Sequence, residues 1–323
     1  MSLQFGRGAF IKLGEEGSSS YGTIASSMPV NNRIISASFQ KTQEKERKTH
    51  LSQSGAGGFQ NGHFEAFLNV GGSIDLPLLY EGTGMLLKAS LGAVTTTDLG
   101  VSEDPRYQHD YEPASDGELP SLSIGLQRGT GSYEVFLGCK VSSLSISGSA
   151  GEEITASFDI IAQDSNSRGT ATTSSFGSGR QMFHFECGVL NYNSATYKMK
   201  SFEFSLDNKL ERRNVLGDKK TLEPITNDIK DVTLNVTLEM EDNALFDAYI
   251  AGTQSDVEFT LTNSPDGDSC NILIRNCYIT DYSDDVNTFG ALERTMVFVG
   301  EGDSSNEPIR IRVTNNQSTG VDN

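Results

Sequence analysis

Apolar and polar residues alternate through residues 72–78, where Ile74, Leu76 and Leu78 flank Asp75 and Pro77. A period of two is the mark of a strand with one buried face. The spacing then turns helical and stops at Gly92. The same order returns 160 positions later, without a gap, at residues 232–252 (VTLNVTLEMEDNALFDAYIAG). There Ile74, Leu76 and Leu78 fall on Leu234, Val236 and Leu238, Leu86 falls on Phe246, and Gly92 falls on Gly252. Thr83 and either Asp242 or Asn243 are placed to cap the two helices, because a side-chain oxygen accepts from the free N–H groups of a first turn. The closing glycines suit a left-handed residue past the helix end. The predicted unit is therefore strand, short helix and glycine stop, used twice.

Two more blocks repeat in the same order. Residues 35–39 (ISASF) match 202–206 (FEFSL) at an offset of 167. Residues 121–162 match 259–300 at an offset of 138, with Cys139 on Cys277, Val141 on Ile279, and Phe158 and Ile160 on Met296 and Phe298. The falling offsets put the length differences between strands, where loops absorb them. The expected fold is mainly β: two tandem β-sandwich or barrel modules, each with one short flanking helix and a long strand-connecting loop. The expected boundaries are a first module at 1–164, a linker at 165–180 (rich in Ser, Thr and Gly) and a second module at 181–323. A length of 323 residues fits two domains of ordinary size.

Between the repeats, 9–13 reads as a strand on an N-terminal arm and 33–40 as another strand. Residues 41–61 (KTQEKERKTHLSQSGAGGFQN) and 207–228 (DNKLERRNVLGDKKTLEPITND) read as long loops at equivalent places. Residues 93–119 read as an irregular acidic insert, Asp266 to Asp268 as a hairpin turn, and 308–313 as a last strand.

Charge changes the picture. Lys and Arg number 25 against 43 Asp and Glu, a formal charge of −18. That excludes a protein that grips nucleic-acid phosphates, which needs a basic face. Both long loops are nonetheless basic, through Lys41, Lys45, Arg47 and Lys48 in one and Lys209, Arg212, Arg213, Lys219 and Lys220 in the other. Loops of that length commonly carry function.

Candidate chemistry is sparse. The four cysteines, 139, 187, 270 and 277, form no CxxC pair. Cys139 and Cys277 lie in apolar strands and read as small core residues in a reducing compartment. The four histidines, at 50, 63, 109 and 184, show no zinc spacing. There is no nucleophile elbow, Walker loop or complete calcium loop. The expectation is no enzyme, no cofactor and no metal. No apolar N-terminal run indicates a secretory signal, and no stretch approaches a membrane span.

The chain resembles the tail tube (major tail) proteins of long-tailed bacteriophages. The residues that carry the resemblance are SYGTIA at 20–25, GSIDLPL at 72–78, LLKASLG at 86–92, SLSIGL at 121–126 and the long loops. The resemblance implies a structural virion protein whose modules form a ring, with inner sheets joined into one barrel and rings stacked into a hollow tube. Two modules per chain are similar to those members that make a trimeric, pseudo-hexameric ring. It also implies a tape measure protein, a tail terminator and tail tip or baseplate proteins as partners. Double-stranded DNA would transit the lumen without specific binding, after assembly in the host cytoplasm. Two alternatives stand beside it: a tube-like protein of a type VI secretion apparatus, and a carbohydrate- or receptor-binding β-sandwich on a virion surface.

Two residue-level expectations follow. The nine basic residues named above would contact the neighbouring ring. The polar positions Asp75, Asp159, Glu203, Asp207 and Glu239, together with Thr295, would line an acidic channel.

Overall fold

The computed structural model describes residues 8–17, 21–47, 63–100, 105–129, 132–166, 182–184, 188–193, 195–239, 243–262, 267–285, 292–303 and 307–321. The first half runs β1 (Phe10–Glu15), β2 (Val30–Arg33), β3 (Ser36–Ala37), β4 (Gln40–Arg47), β5 (His63–Pro77), α1 (Gly84–Leu91), β6 (Gly92–Asp98), β7 (Tyr107–Pro113), β8 (Leu122–Arg128), β9 (Ser132–Ser149), β10 (Thr155–Ala162) and β11 (Asp164–Ser165). The second runs β12 (Gly188–Tyr192), β13 (Ala195–Tyr197), β14 (Met199–Asp207), β15 (Leu210–Arg213), β16 (Leu222–Thr226), β17 (Asp231–Glu239), α2 (Ala244–Ala251), β18 (Ser255–Thr262), β19 (Ser269–Asp285), β20 (Glu293–Val299) and β21 (Ile309–Asn315).

One long antiparallel sheet crosses both halves in the order β3/β4–β5–β10–β9–β14–β17–β20–β19. Alternation decides its faces. Ile74, Leu76, Phe158, Leu144, Phe204, Leu234 and Phe298 point to the buried side, and each is at most 1% exposed. Two shorter sheets close the core from that side. The first is β2–β1–β8–β9 and the second β13–β12–β18–β19. β9 and β19 are long enough to belong to both layers. Their first parts pair with β8 and β18, and their last parts with β10 and β20.

The crossing from layer to layer is built alike in both halves. Gly138 has φ +63° and Asn276, 138 positions on, has φ +50°. Only glycine or a short polar residue adopts this region readily. At Gly138 a side chain has no room either, since a Cβ would lie 2.9 Å from the Tyr21 ring. The β9–β10 ladder is bulged between Asp159 and Ile160, and the β19–β20 ladder between Ile279 and Asp281. The skipped residues, Ser142 and Thr280, again stand 138 apart. The β3–β5 register, Ser36↔Asp75, matches Glu203↔Asn235 in β14–β17 at the offsets of 167 and 160. For β8 and β18 the true offset is 133, not 138: Leu122 opposes Cys139 where Ser255 opposes Cys277. The longer β18–β19 turn absorbs the difference, and the left-handed Gly267 (φ +75°) stands near its end.

Several expected elements differ. Residues 33–40 are split into β2, β3 and the start of β4. Residues 93–119 are not irregular. They contain the β6–β7 hairpin, in which His109 and Tyr111 are buried, and β7 pairs with β21 to extend the second short sheet. Its acidic residues hid the alternation because one face of the hairpin is solvated. The described parts of the two basic stretches hold strands. β4 pairs along β5, and β15 pairs with β16. Alternation vanished there because little of either stretch is buried. Residues 48–62 and 167–181, which include Lys48 and most of the expected linker, lie outside the described residues.

Thr83 and Asn243 do hold the N-cap positions, yet neither side chain caps its helix. The Thr83 hydroxyl donates to the Leu79 carbonyl instead (3.1 Å). Gly252 is left-handed as expected, whereas Gly92 has φ +118° and ψ −44°. Cys139, Cys270 and Cys277 are buried free thiols, and burial pushes the latter two up to about 12.

Candidate assembly surface

The long sheet turns its other face to solvent, and strand register assigns that face without reference to rotamers. One row of facing residues runs Ser36, Asp75, Ser157, Ser145, Ser205 and Thr233. Another runs Ser73, Asp159, Ser143, Asp207 and Asp231. A third runs Thr155, Ser147, Glu203, Asn235, Val297 and Asp281. Glu239 and Glu293 oppose each other at the end of the sheet. All five carboxylates expected to share a surface, Asp75, Asp159, Glu203, Asp207 and Glu239, therefore sit on one face of one sheet. Thr295 is on that face too, opposite Thr237.

Hydroxyls dress these carboxylates. Asp75 accepts from Ser36 and Ser157 (2.6 Å for the latter), and Asp159 accepts from Ser143 (3.0 Å). Two lysines intervene. Lys209 bridges Asp207 (2.8 Å) and Asp231 (2.6 Å), and Lys200 reaches Glu293 (2.6 Å) and Glu239 (3.5 Å). Burial works against ionisation of Asp207, but hydrogen bonds from the Lys209 side chain and backbone outweigh it and hold its carboxyl below the usual range. The serine ladder was missed in the sequence. Its signal is plain in VSSLSISGS at 141–149, where Ser143, Ser145, Ser147 and Ser149 alternate.

The basic residues divide. The β15–β16 hairpin leans back over the first half. Arg212 donates to the carbonyls of Val70 and Ala162 (3.2 Å for the latter). Lys219 pairs with Glu65, while Lys140 of β9 pairs with Glu223 (2.6 Å). Asp164 receives both Lys41 of β4 (2.5 Å) and Lys220 of the hairpin (2.7 Å). Burial raises the Asp164 carboxyl, yet the hydrogen bonds from Lys220 and Lys41 prevail and leave it depressed. Lys41, Arg212, Lys219 and Lys220 thus bind within the chain, as does Lys209. Lys45 and Arg213 are exposed, and the Arg47 side chain lies outside the described residues.

The ends of the long sheet are open. Among the described residues, β3 and β4 pair only with β5, and the last part of β19 pairs only with β20. Unpaired strand edges are templates for another strand. Beside the β19 edge stands α2. Its Phe246 packs on Tyr282 (5.3 Å between rings) and Tyr249 stacks on the same ring (5.6 Å), yet Phe246 and Ile250 stay exposed. Among the described residues no three His, Cys, Asp or Glu side chains form a metal-binding group, and no helix is long and apolar enough to cross a membrane.

Open sheet edges and a hydroxyl- and carboxylate-covered face are the features of a β-protein with unpaired strands at the ends of its sheet. The family can be stated as well. The family model described as phage tail tube protein matches residues 6–305, nearly the whole chain, and the chain belongs to that family. It is a structural component of the virion tail, of a kind that self-assembles and is not enzymatic. No curated protein matches the sequence.

Proposed function

We propose that the chain forms the tail tube as a trimeric ring, nearly sixfold because each chain supplies two copies of one module, spanning 1–164 and 181–323. The observation that carries this reading is the long sheet. Its strand order β3/β4–β5–β10–β9 recurs as β14–β17–β20–β19, with the same bulge, and the two sets are already joined edge to edge through β9 and β14. Closing the two free ends with further copies removes the edges and makes a barrel. A head-to-tail contact between rings does not self-terminate, so rings stack into a tube. Its length would be set from outside, by a tape measure protein, with a terminator and the tail tip at its ends.

In this reading the solvated face of the long sheet lines the channel. Asp75, Asp159, Glu203, Asp207 and Glu239 then face passing DNA. Duplex DNA carries one negative charge per about 1.7 Å, so a wall of carboxylates and hydroxyls would not hold its phosphates. The exposed Lys45 and Arg213, with Arg47 and Lys48 of the same basic stretch as Lys45, would meet acidic surface on the next ring.

Mass measurement of isolated rings, with negative-stain images of tubes, tests the proposal. Three chains per ring are expected, and six would overturn the two-module reading. A density map of the assembled tube tests the channel. A basic wall, or carboxylates on the outer surface, would overturn the conduit.

A further inference from the structure

Within the long sheet the two halves of the chain meet at one junction among the described residues, where β9 pairs with β14. The two strands that would form a second such junction, β19 and β3/β4, have no strand on their outer side among the described residues. We infer that β19 of one copy pairs with β3 and the start of β4 of the next in the register used at the internal junction, with Ser283 opposite Ser38 and Asp281 opposite Gln40. The inference rests on the proposed ring and adds its strand register and seam residues.

The register follows from two independent matches. Inside the chain Ser145 opposes Ser205 and Ser143 opposes Asp207. Residues of β9 map onto β19 at an offset of 138, fixed by the shared bulge and by the left-handed Gly138 and Asn276. Residues of β14 map onto β3 and β4 at an offset of 167, fixed by the shared pairing to β5 and β17. Ser145 then becomes Ser283, Ser205 becomes Ser38, Ser143 becomes Asp281, and Asp207 becomes Gln40. A slip of one residue would turn every side chain to the wrong face, so the alternation itself supports this register.

The apolar side of the seam agrees. At the internal junction Phe202 is 8% exposed and packs beside Ile154, which is 1% exposed, with Gly148 between them. The position equivalent to Gly148 is Val286, which lies outside the described residues, so the comparison rests on the two flanking hydrophobic positions. The counterparts at the free ends are Ile35, 52% exposed, and Leu292, 38% exposed. Both are exposed large hydrophobic residues, Ile35 just before β3 and Leu292 just before β20, one strand in from the β19 edge, and the proposed register brings them to the same seam. Next to the β19 edge, Arg294 is 1% exposed. Its Nε holds Asp284 (3.1 Å), while its Nη2 is buried with no partner among the described residues. A buried donor left unpaired beside an open strand edge is consistent with an acceptor arriving from another copy.

Cysteine pairing reads the register directly. Ser38 and Ser283 lie on the solvated face, so replacing them spares the core. Full-length chain carrying Ser38→Cys and Ser283→Cys, assembled and then oxidised, should give a ladder of disulfide-linked chains that ends at one closed ring. Chain carrying Ser36→Cys and Asp281→Cys, four residues out of register or about 13 Å along a strand, should stay unlinked. A second variant, Ile35→Asp, should keep the parent's denaturation midpoint and lose assembly. Tubes that form while the first pair stays unlinked, or while the second pair links instead, would overturn the register and leave the tube reading standing. Chain that stays monomeric with neither pair linked would overturn both. Unimpaired assembly of Ile35→Asp would overturn the seam.

Discussion

The helices α1 and α2 occupy equivalent places, each after the second strand of its half of the long sheet, yet they live in different surroundings. Six of the eight α1 residues are buried, whereas α2 buries only Leu245. The first half has a lid. The β6–β7 hairpin crosses α1, and Tyr111 of that hairpin donates to the Gly320 carbonyl (2.6 Å), which pins the C-terminal segment over the helix. Gly84 makes room for that segment, because a Cβ there would lie 2.3 Å from the Gly320 oxygen. On α2, Phe246 and Tyr249 lie against the Tyr282 ring, and Phe246 and Ile250 stay exposed. A helix of eight residues has little stability of its own. The comparison teaches that the same strand–helix unit is finished by the chain itself in one half and left open in the other.

The largest expected effect breaks the comparison at its centre. Leu86→Ala removes a fully buried side chain and should cost about 2–5 kcal/mol, read as a lower denaturant midpoint. Its counterpart Phe246→Ala, at 41% exposure, should cost clearly less in the isolated chain. Equal losses would mean that α2 is as well covered as α1.

Next comes the hairpin that ties the halves together. Arg212→Ala deletes charged hydrogen bonds to two backbone carbonyls, each worth about 1.5–3 kcal/mol where buried and less at this half-buried site. Faster amide exchange in β15 and β16 should report it. Lys45→Ala, on the exposed β4, should stay within about 0.5 kcal/mol of the parent.

Tyr111→Phe sharpens the role of the lid. Loss of one hydrogen bond costs about 1 kcal/mol or somewhat more, since the Gly320 carbonyl is left without its donor. The change should raise exchange in the C-terminal segment and in α1 but not in α2.

The smallest effect is that of acid. Asp164 and Asp207 keep depressed carboxyls through their lysine partners, and Glu65 does so through its hydrogen bond from Lys219. A depressed carboxyl contributes stability above its unfolded value of about 4, and loses it as pH falls through the folded value. The hairpin contacts should therefore be constant from neutrality down to about pH 4 and weaken below it. Lys220→Gln should flatten that decline, followed by the amide exchange of β15 and β16 against pH.

Much of this molecule was legible because alternation is a local property. The pattern around Ile74 and Leu234 placed β5 and β17, and the spacing to Gly92 and Gly252 placed both helices. It also put five carboxylates on the polar side of their strands. What failed were stretches where neighbours, not the chain, decide. The β6–β7 hairpin reads as an acidic insert until β21 supplies an edge for β7. The basic stretches read as loops because strands with little burial need no alternation. Thr83 was placed at the helix start, but the tertiary fold gave its hydroxyl a better acceptor in Leu79.

Sequence alone therefore determined the strands in which apolar and polar residues alternate, and which face of each is apolar. Tertiary structure decided which strands are neighbours, that β9 and β14 fuse the halves into one sheet, and that Asp164 gathers lysines from β4 and from the segment between β15 and β16. The physical reason is reach. Side-chain parity is fixed by the backbone within two residues, whereas pairing, burial of a helix face and the partner of a charge depend on groups far away in the chain, as Ser145 and Ser205 or Asp164 and Lys220 are.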